Sequence, residues 1–168
     1  MATTIRLTNL AAYRDYFSAI ATSHVDIAGF KWGEKEVVMN DNRHATPNFL
    51  WAMPYDRVRY TDRSSDNVHK IKTARVAYMC VAASDKFEDE DAAFEASELI
   101  IEEILAKILV DKRGAEVAGD WQMIITDIAS WSTGPIEKAI GSTKYIGWEL
   151  SINFQDPTSL LYNASKWE

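Results

Sequence analysis

The longest periodic pattern of hydrophobic residues in the chain covers residues 92–112. Apolar side chains recur there every three or four residues, the spacing that places them on one face of an α-helix. Acidic residues precede this segment and basic residues close it, as the helix dipole favours, and Gly114 is a residue type that commonly ends helices. The pattern predicts one long amphipathic helix, ending at Gly114, whose main apolar face consists of Phe94, Ile101, Ile104, Leu105, Ile108 and Leu109.

A second, narrower apolar face lies on roughly the opposite side of this predicted helix. Leu99, Ala106 and Val110 recur there at intervals of seven and four residues. A helix that covers one sheet needs a single apolar face, although isolated exposed apolar residues are common on protein surfaces. The second face therefore has two interpretations: scattered surface residues, or a contact with another subunit, for which Leu99 and Val110 are the candidates.

The amino-terminal half predicts a helix followed by strands. We interpret Thr8 as the N-cap of a first helix that runs to about Asp26. Pro54 is expected to stop a short strand, so the polar residues 56–66 are predicted to be irregular. The three strand patterns of this half cover residues 30–40, 48–53 and 68–83.

The carboxy-terminal part predicts two further strands. The first covers residues 120–129, and Gly134-Pro135 then indicates a turn, followed by a short helical turn at residues 136–140. Residues 144–155 show the clearest alternation in the chain, and Pro157 ends it. The apolar face of this last strand consists of Trp148, Leu150, Ile152 and Phe154.

The order of these elements predicts an α+β fold. We expect a mostly antiparallel sheet with an N-terminal helix and one long central helix packed on one face. Residues 1–157 are expected to form a single domain, and residues 158–168 a C-terminal arm. Because the arm carries Tyr162 and Trp167 among other apolar side chains, we expect it to dock on its own domain or on a neighbour. Substitution of Trp167 is then expected to disturb assembly more than the stability of the monomer.

Composition and charge exclude several classes of protein. The net charge of −7 argues against a non-specific nucleic-acid binder. The single cysteine, Cys80, excludes an internal disulfide and a cysteine-built metal site. The N-terminus lacks the apolar core of a signal peptide and no apolar run is long enough to span a membrane. We therefore expect a protein made in the cytoplasm, without membrane association.

The charges are distributed unevenly along the chain. Residues 85–103 contain nine acidic residues and one basic residue, with Glu88, Asp89 and Glu90 in the densest run. Residues 57–75 contain six basic and two acidic residues, and these basic residues include Arg57, Arg59 and Arg63. In one interpretation the two segments pair within one chain or remain solvated. In the other, the acidic surface of one subunit meets the basic surface of the next. A head-to-tail contact of the latter kind makes a ring when its rotation closes.

The chain contains no motif for catalysis, for a cofactor or for a metal. Phosphate-binding glycine loops, zinc-protease motifs and serine-hydrolase elbows are absent from the sequence, and its three histidines share no periodicity. We therefore predict that the protein is not an enzyme and needs no cofactor. The alternative is a small α+β enzyme or ligand-binding protein with a pocket of dispersed residues, for which Trp51, Tyr55, His69 and Trp148 are the candidates. A partner-binding adaptor that presents a sheet edge or the arm is a third hypothesis.

Three stretches of the chain resemble a known family. They are YFSAIATSH in the first helix, IEEILAKIL in the long helix, and YIGWELSINFQDPTSLLYNASKW at the end. Together they are similar to the small tail-terminator or tail-completion (head–tail joining) proteins of long-tailed bacteriophages and phage-like elements. The similarity covers most of the chain as an order of elements, and about the last 25 residues as a motif.

The resemblance implies a structural α+β subunit that forms a ring, commonly a hexamer, at the end of a tail tube. Its partners would be further copies of itself and neighbouring tail-tube or neck proteins, and its place would be the virion or a phage-like particle. The acidic entrance to the long helix and the aromatic arm depart from the family pattern, so tail terminator, head completion protein and neck adaptor all remain open. The expected interface residues are Arg57, Arg59, Arg63, Glu88, Asp89, Glu90, Leu99, Val110, Tyr162 and Trp167.

Overall fold

The computed structural model describes residues 9–34, 47–62, 68–82, 84, 86–117, 130–140 and 143–157. Two helices and five strands lie in these ranges, which confirms the predicted α+β class. In chain order they are α1 (Leu10–Ser23), β1 (Phe30–Trp32), β2 (Asn48–Asp62), β3 (Val68–Cys80), α2 (Phe87–Val117), β4 (Ser132–Ile140) and β5 (Thr143–Pro157).

The five strands form one mixed sheet in the order β1-β2-β3-β5-β4. The short strand β1 is parallel to β2, whereas the other three neighbouring pairs are antiparallel. The predicted mostly antiparallel sheet is therefore confirmed. Because β2, β3 and β5 each have a neighbour on both sides, they form the interior of the sheet, and the buried side chains of its described residues lie in these three strands.

Both helices cover the same face of the sheet. The main core joins Tyr13 and Phe17 of α1 and Ile101, Ile104 and Ile108 of α2 to the inner face of β2, β3 and β5. The alternation predicted for β5 is confirmed, since its three buried residues of this face are Leu150, Ile152 and Phe154, with Trp148 half-buried beside them.

A smaller apolar cluster occupies the opposite face of the same strands. Phe49 and Trp51 of β2 contact Met79 of β3 and Tyr145 of β5, and all four side chains are buried. The rings of Phe49 and Tyr145 meet edge to face, with centroids 5.3 Å apart. Tyr145 breaks the alternation of β5 in the sequence because it belongs to this second cluster. Both faces of the central strands are therefore apolar in this part of the sheet.

The ends of α1 differ from the prediction. Asn9, and not Thr8, is the N-cap: its side-chain oxygen accepts hydrogen bonds from the backbone N–H groups of Ala11 (2.9 Å) and Ala12 (3.4 Å). The helix ends at Ser23, three residues before Asp26, because the backbone of His24 turns to an extended conformation. The N–H of His24 still donates to the carbonyl of Ile20, which completes the last turn.

The helix α2 is longer than predicted at both ends. It begins at Phe87 and continues through Gly114 to Val117, so the prediction that Gly114 ends it is wrong. Gly114 is exposed and has no atom near the position that a Cβ would occupy, whereas Ala115 contacts the main core. Contact beyond the glycine therefore keeps the helix intact, and the intrinsic cost of glycine in a helix is about 1 kcal/mol.

Two segments that were predicted to be irregular are strands. β2 passes through Pro54 because its register shifts between Met53, opposite Arg75, and Arg57, opposite Thr73. This bulge leaves Pro54 without a ladder hydrogen bond to donate. The predicted turn and helical turn after residue 131 are also wrong, since Gly134 and Pro135 lie in β4. β4 ends the strand order of the described sheet, where proline is tolerated.

The strand predicted at residues 30–40 is described only as Phe30–Trp32, and Gly33 ends it with a φ of 128°. Only glycine adopts such an angle without strain. The predicted strand at residues 120–129 and the C-terminal arm at 158–168 lie outside the described residues. Within the described part of the chain, neither helix combines the length and the apolarity that crossing a bilayer requires.

Candidate functional site

A line of exposed residues runs along the side of α2 that faces away from the sheet. Its members follow one another at alternating steps of four and three residues, and all are exposed. We call this set the outward line; it consists of Ala92, Ala96, Leu99, Glu103, Ala106, Val110, Arg113 and Val117. Leu99 is 61% exposed and Val110 is 62% exposed, so the two candidates from the sequence lie on one open surface.

The outward line adjoins a groove at one end of the molecule. The groove has a volume of about 580 Å³ and lies between α2 and the turn after α1. Val25, which is 95% exposed, lines it together with Ala96 and Leu99. At its edge, Nε2 of His24 lies 2.9 Å from a carboxylate oxygen of Glu103. This contact holds the carboxylate of Glu103 toward the end of α1, and the apolar surface continues past it.

The three acidic candidates at the start of α2 have different surroundings. Glu88 is exposed. Asp89 accepts a hydrogen bond from the hydroxyl of Ser84 in the turn before the helix. Glu90 accepts one from the ammonium of Lys144 in β5, at 2.8 Å. Glu90 is therefore held within its own chain, whereas Glu88 faces outward.

Lys144 links the start of α2 to the end of the sheet. Its ammonium lies 2.6 Å from a carboxylate oxygen of Glu137 and 2.8 Å from one of Glu90. The hydrogen bond to Glu137, followed by the one to Glu90, is the main reason that the pKa of Lys144 is raised above its ordinary value. The acidic start of α2 therefore lies beside Lys144, near the beginning of β5. This part of β5 pairs with the end of β3, where Ile146 is opposite Cys80.

The basic candidates belong to the other end of the sheet. Arg57 and Arg59 are strand residues of β2, opposite Thr73 and Ile71 of β3, respectively. Seven residues separate Thr73 from Cys80 along β3, which corresponds to about 23 Å at the rise of a β-strand. The acidic start of α2 lies beyond Cys80, so these two arginines and the acidic cluster occupy opposite ends of the molecule. Arg63, Tyr162 and Trp167 lie outside the described residues.

A cavity of about 680 Å³ lies on the face of the sheet that the helices leave uncovered. It extends from Glu34, near β1, across β2, β3 and β5 to β4. Trp51 and Met53 supply apolar wall on one side, and Pro135 and Ile136 supply it on the other. The indole N–H of Trp51 donates to the carbonyl of Gly33 at 2.9 Å, so this wall is held by the backbone beside it.

Arg75 forms the charged centre of this cavity. Its Nη2 lies 3.1 Å from Oδ1 of Asp56, and its Nη1 lies 3.7 Å from Oε2 of Glu149. The Nε of Arg75 is buried and has no hydrogen-bond partner among the residues that the structure describes. With Glu34, the described residues of the lining carry three carboxylates against one guanidinium. The formal charge of this described lining is therefore −2, which favours a positively charged occupant.

The structure brings together only part of the pocket that dispersed residues were expected to form. Trp51 and Tyr55 line the cavity, although the ring of Tyr55 also packs against Tyr13 of the main core. Trp148 packs against that core on the helix side of the sheet. For His69 only the backbone position in β3 is described. The sequence did not predict Arg75 and Glu149 as cavity residues. The one signal in the sequence was that each is a charged residue inside an apolar strand.

The described residues offer little for metal or thiol chemistry. No group of three His, Cys, Asp or Glu side chains in these ranges is arranged to hold a metal ion. The thiol of Cys80 is half-buried and lies 3.4 Å from the hydroxyl of Ser97. Burial raises the pKa of this thiol, and the thiolate that would act as a nucleophile is correspondingly disfavoured.

Comparison with known proteins adds no functional assignment to this geometry. No protein-family model matches the chain, and no curated protein shows significant sequence similarity to it. The charges, exposed surfaces and cavity described above are therefore the basis for the functional inference.

Proposed function

We propose that this protein is a structural subunit that forms a ring with copies of itself at the tail or neck of a phage or phage-like particle. The observation that carries the proposal is the separation of opposite charges at the two ends of the sheet. In the sequence, the acidic and basic segments could have paired within one chain. A distance of more than about 20 Å between Arg57 and the acidic start of α2 argues against pairing of these two parts within one chain.

The charged ends suit a contact between two different surfaces. The first half of α2, residues 87–103, has eight acidic and no basic residues. At the other end, the paired segments 57–62 and 68–72 have four Lys or Arg residues and one Asp, and β5 adds Asp156 opposite Lys70. A heterologous contact joins two such patches and closes into a ring when the rotation permits. Charge then guides the register and the choice of partner.

The place in the particle is supported by the resemblance of the sequence to tail-terminator and tail-completion proteins. The order of helix, strands, long helix and final strand pair agrees with the small α+β subunit which that resemblance implies. In this proposal the partners of the ring are the neighbouring tail-tube or neck proteins. The ring acts by contact alone and needs no cofactor.

The test is the mass of the assembly in solution, measured by native mass spectrometry and light scattering. We expect a closed oligomer at low salt that loosens near 1 M salt, where the screening length falls to about 3 Å. Reversal of two charges in Arg57→Glu/Arg59→Glu is expected to break the ring into species no larger than dimers. The matched control is Arg14→Glu, because Arg14 pairs with the adjacent Asp15 on the exposed side of α1; this variant is expected to assemble normally.

Two results would contradict the head-to-tail contact. One is a chain that stays monomeric at high micromolar concentration at every salt concentration. The other is an oligomer whose mass is the same for the double reversal and for the wild type. In the second case self-association would stand, but the charged ends would not be its contact.

The cavity supports a second candidate function, the binding of a small cationic ligand. The specific observation is that Glu34, Asp56 and Glu149 converge on a volume of about 680 Å³ with apolar walls, within the usual range for a ligand site. We expect free arginine, used as a probe in calorimetry, to bind and Glu149→Gln to weaken that binding. Glu95→Gln, on the exposed side of α2, is the control. Equal heats for both variants would argue against this site.

A further inference from the structure

The outward line of α2 has the composition of a buried helix contact, although all eight of its residues are exposed. Six of its eight residues are Ala, Leu or Val, whereas a surface helix normally carries polar residues on the side opposite its core. Its alternating steps of four and three residues are the spacing of the apolar positions in a coiled coil. Among the large side chains, Leu99, Val110 and Val117 are 61%, 62% and 92% exposed. This spacing fits a second helix that lies alongside α2.

The charges on α2 determine which direction that second helix can take. Residues 87–103 carry eight acidic and no basic residues, a formal charge of −8. Residues 104–117 carry three basic and two acidic residues, a formal charge of +1. A parallel copy of α2 would place the two acidic halves side by side. An antiparallel copy places each acidic half against the opposite half of its partner and also pairs the helix dipoles favourably.

We propose that the outward line of α2 packs antiparallel against the same line of a second copy of this chain. The register that follows places Leu99 opposite Val110 and Ala92 opposite Val117. A symmetric contact of this kind is self-complementary, since each residue meets its counterpart twice around a two-fold axis.

The two charged residues of the line are compatible with this register. Glu103 falls opposite Ala106, a small side chain, and its carboxylate is already held to one side by His24 at 2.9 Å. Arg113 falls opposite Ala96, and the acidic half of the partner helix surrounds that position. The register therefore sets no like charges directly opposite one another along the line, and a small residue faces each charged one.

This pairing rests on the self-association in the proposed function and adds a contact of a different kind. The head-to-tail contact alone builds one ring. A two-fold contact through α2 joins subunits of two such rings, so the complete assembly has twice the mass of a single ring. Removal of the α2 contact is expected to halve the mass of the assembly without dissolving the ring.

The direct test is disulfide cross-linking between α2 helices of two chains, on a Cys80→Ser background. In the proposed register residues 99 and 110 of different chains are neighbours. Within one helix they lie about 16 Å apart along the axis, and disulfides require Cα atoms within about 7 Å. Under mild oxidation, Leu99→Cys/Val110→Cys is expected to yield about tenfold more covalent dimer than either single variant. Both positions are exposed, so neither substitution disturbs the core.

The outcomes separate this pairing from the ring. Covalent dimers that also form on the Arg57→Glu/Arg59→Glu background support the pairing even if the head-to-tail contact is wrong. A salt-sensitive oligomer without cross-linking supports the ring and overturns the pairing. Efficient cross-linking of the single variant Leu99→Cys overturns the antiparallel direction, since only a parallel or shifted pair brings two residues 99 together. A Leu99→Lys variant that keeps the full mass of the wild-type assembly overturns the pairing itself, since a lysine at the centre of the contact should prevent it.

Discussion

Replacement of Gly147 by alanine is expected to destabilise the protein more than most changes of one methyl group. Gly147 lies in the middle of β5, between Met79 of β3 and Ile136 of β4. A Cβ at this position would lie 1.9 Å from the carbonyl oxygen of Tyr78 and 2.9 Å from the sulfur of Met79. The oxygen belongs to the backbone of a central strand and cannot rotate away as a side chain would.

The magnitude follows from the distance that the strands would have to move. Carbon and carbonyl oxygen approach to about 3.3 Å in ordinary contacts between strands, so β3 and β5 must separate by about 1.4 Å near this residue. Such a shift weakens the adjacent ladder hydrogen bonds, each worth about 1 kcal/mol, and adds overpacking strain of about 1–3 kcal/mol. We expect a loss of about 3 kcal/mol or more in the free energy of unfolding.

Urea unfolding monitored by circular dichroism provides the measurement, and the same chain provides a control. Gly114→Ala makes the identical chemical change in an exposed turn of α2 where no atom lies within 4 Å of the new Cβ. We expect that variant to gain about 0.5–1 kcal/mol, because alanine loses less backbone entropy than glycine in a helix. A Gly147→Ala variant within about 0.5 kcal/mol of the wild type would refute the close approach of β3 and β5.

The remaining predictions concern three buried side chains. Burial, with a smaller contribution from the nearby Cys80, raises the pKa of Tyr78 to about 12; because an unfolded tyrosine ionises near pH 10, stability is complete below about pH 10 and falls between about pH 10 and 12. Urea unfolding across this range should show a steeper fall for the wild type than for Tyr78→Phe. Ile104→Ala removes a side chain that is 1% exposed, and thermal unfolding should report a loss of about 2–5 kcal/mol. Alkylation of Cys80 by iodoacetamide at neutral pH should be slower than that of a free thiol, since burial raises the pKa of this group; equal rates would contradict the burial.

The long helix was the part of the fold that the sequence predicted best. Ile101, Ile104 and Ile108 are buried in the main core, as their spacing predicted, and Leu99 and Val110 are exposed on the other side. The periodicity is strong because one helix packs on one sheet, so each turn of the helix in contact with the sheet must present apolar residues on the same side. The end of the helix was predicted less well, since Gly114 signals a stop only where no contact continues beyond it.

The errors in the strands share a physical cause. Pro54 and Pro135 are local signals against a strand, and both lie in strands. Whether a missing N–H matters depends on the neighbour that would have received its hydrogen bond. A bulge removes that neighbour for Pro54, and a position in the outermost described strand accommodates Pro135. Neither circumstance is visible in a window of a few residues.

The candidate sites also combine features that the sequence predicted with features that it did not. The charge of each segment was readable from the sequence, and so was the second apolar face of α2. The cavity was not, because Asp56, Arg75 and Glu149 come from three different strands and meet only when those strands pair.

Local patterns in the sequence were enough to predict that the fold combines helices with strands and that Ile101, Ile104 and Ile108 of α2 face the core, because the periods of 3.6 and 2 follow from local backbone geometry. The pairing of the strands was needed to show that Arg57 and Arg59 lie at the opposite end of the sheet from the acidic start of α2 and that Arg75 meets two carboxylates. Distances between segments that are remote in the chain depend on strand order and register, which arise from the contacts of the whole fold.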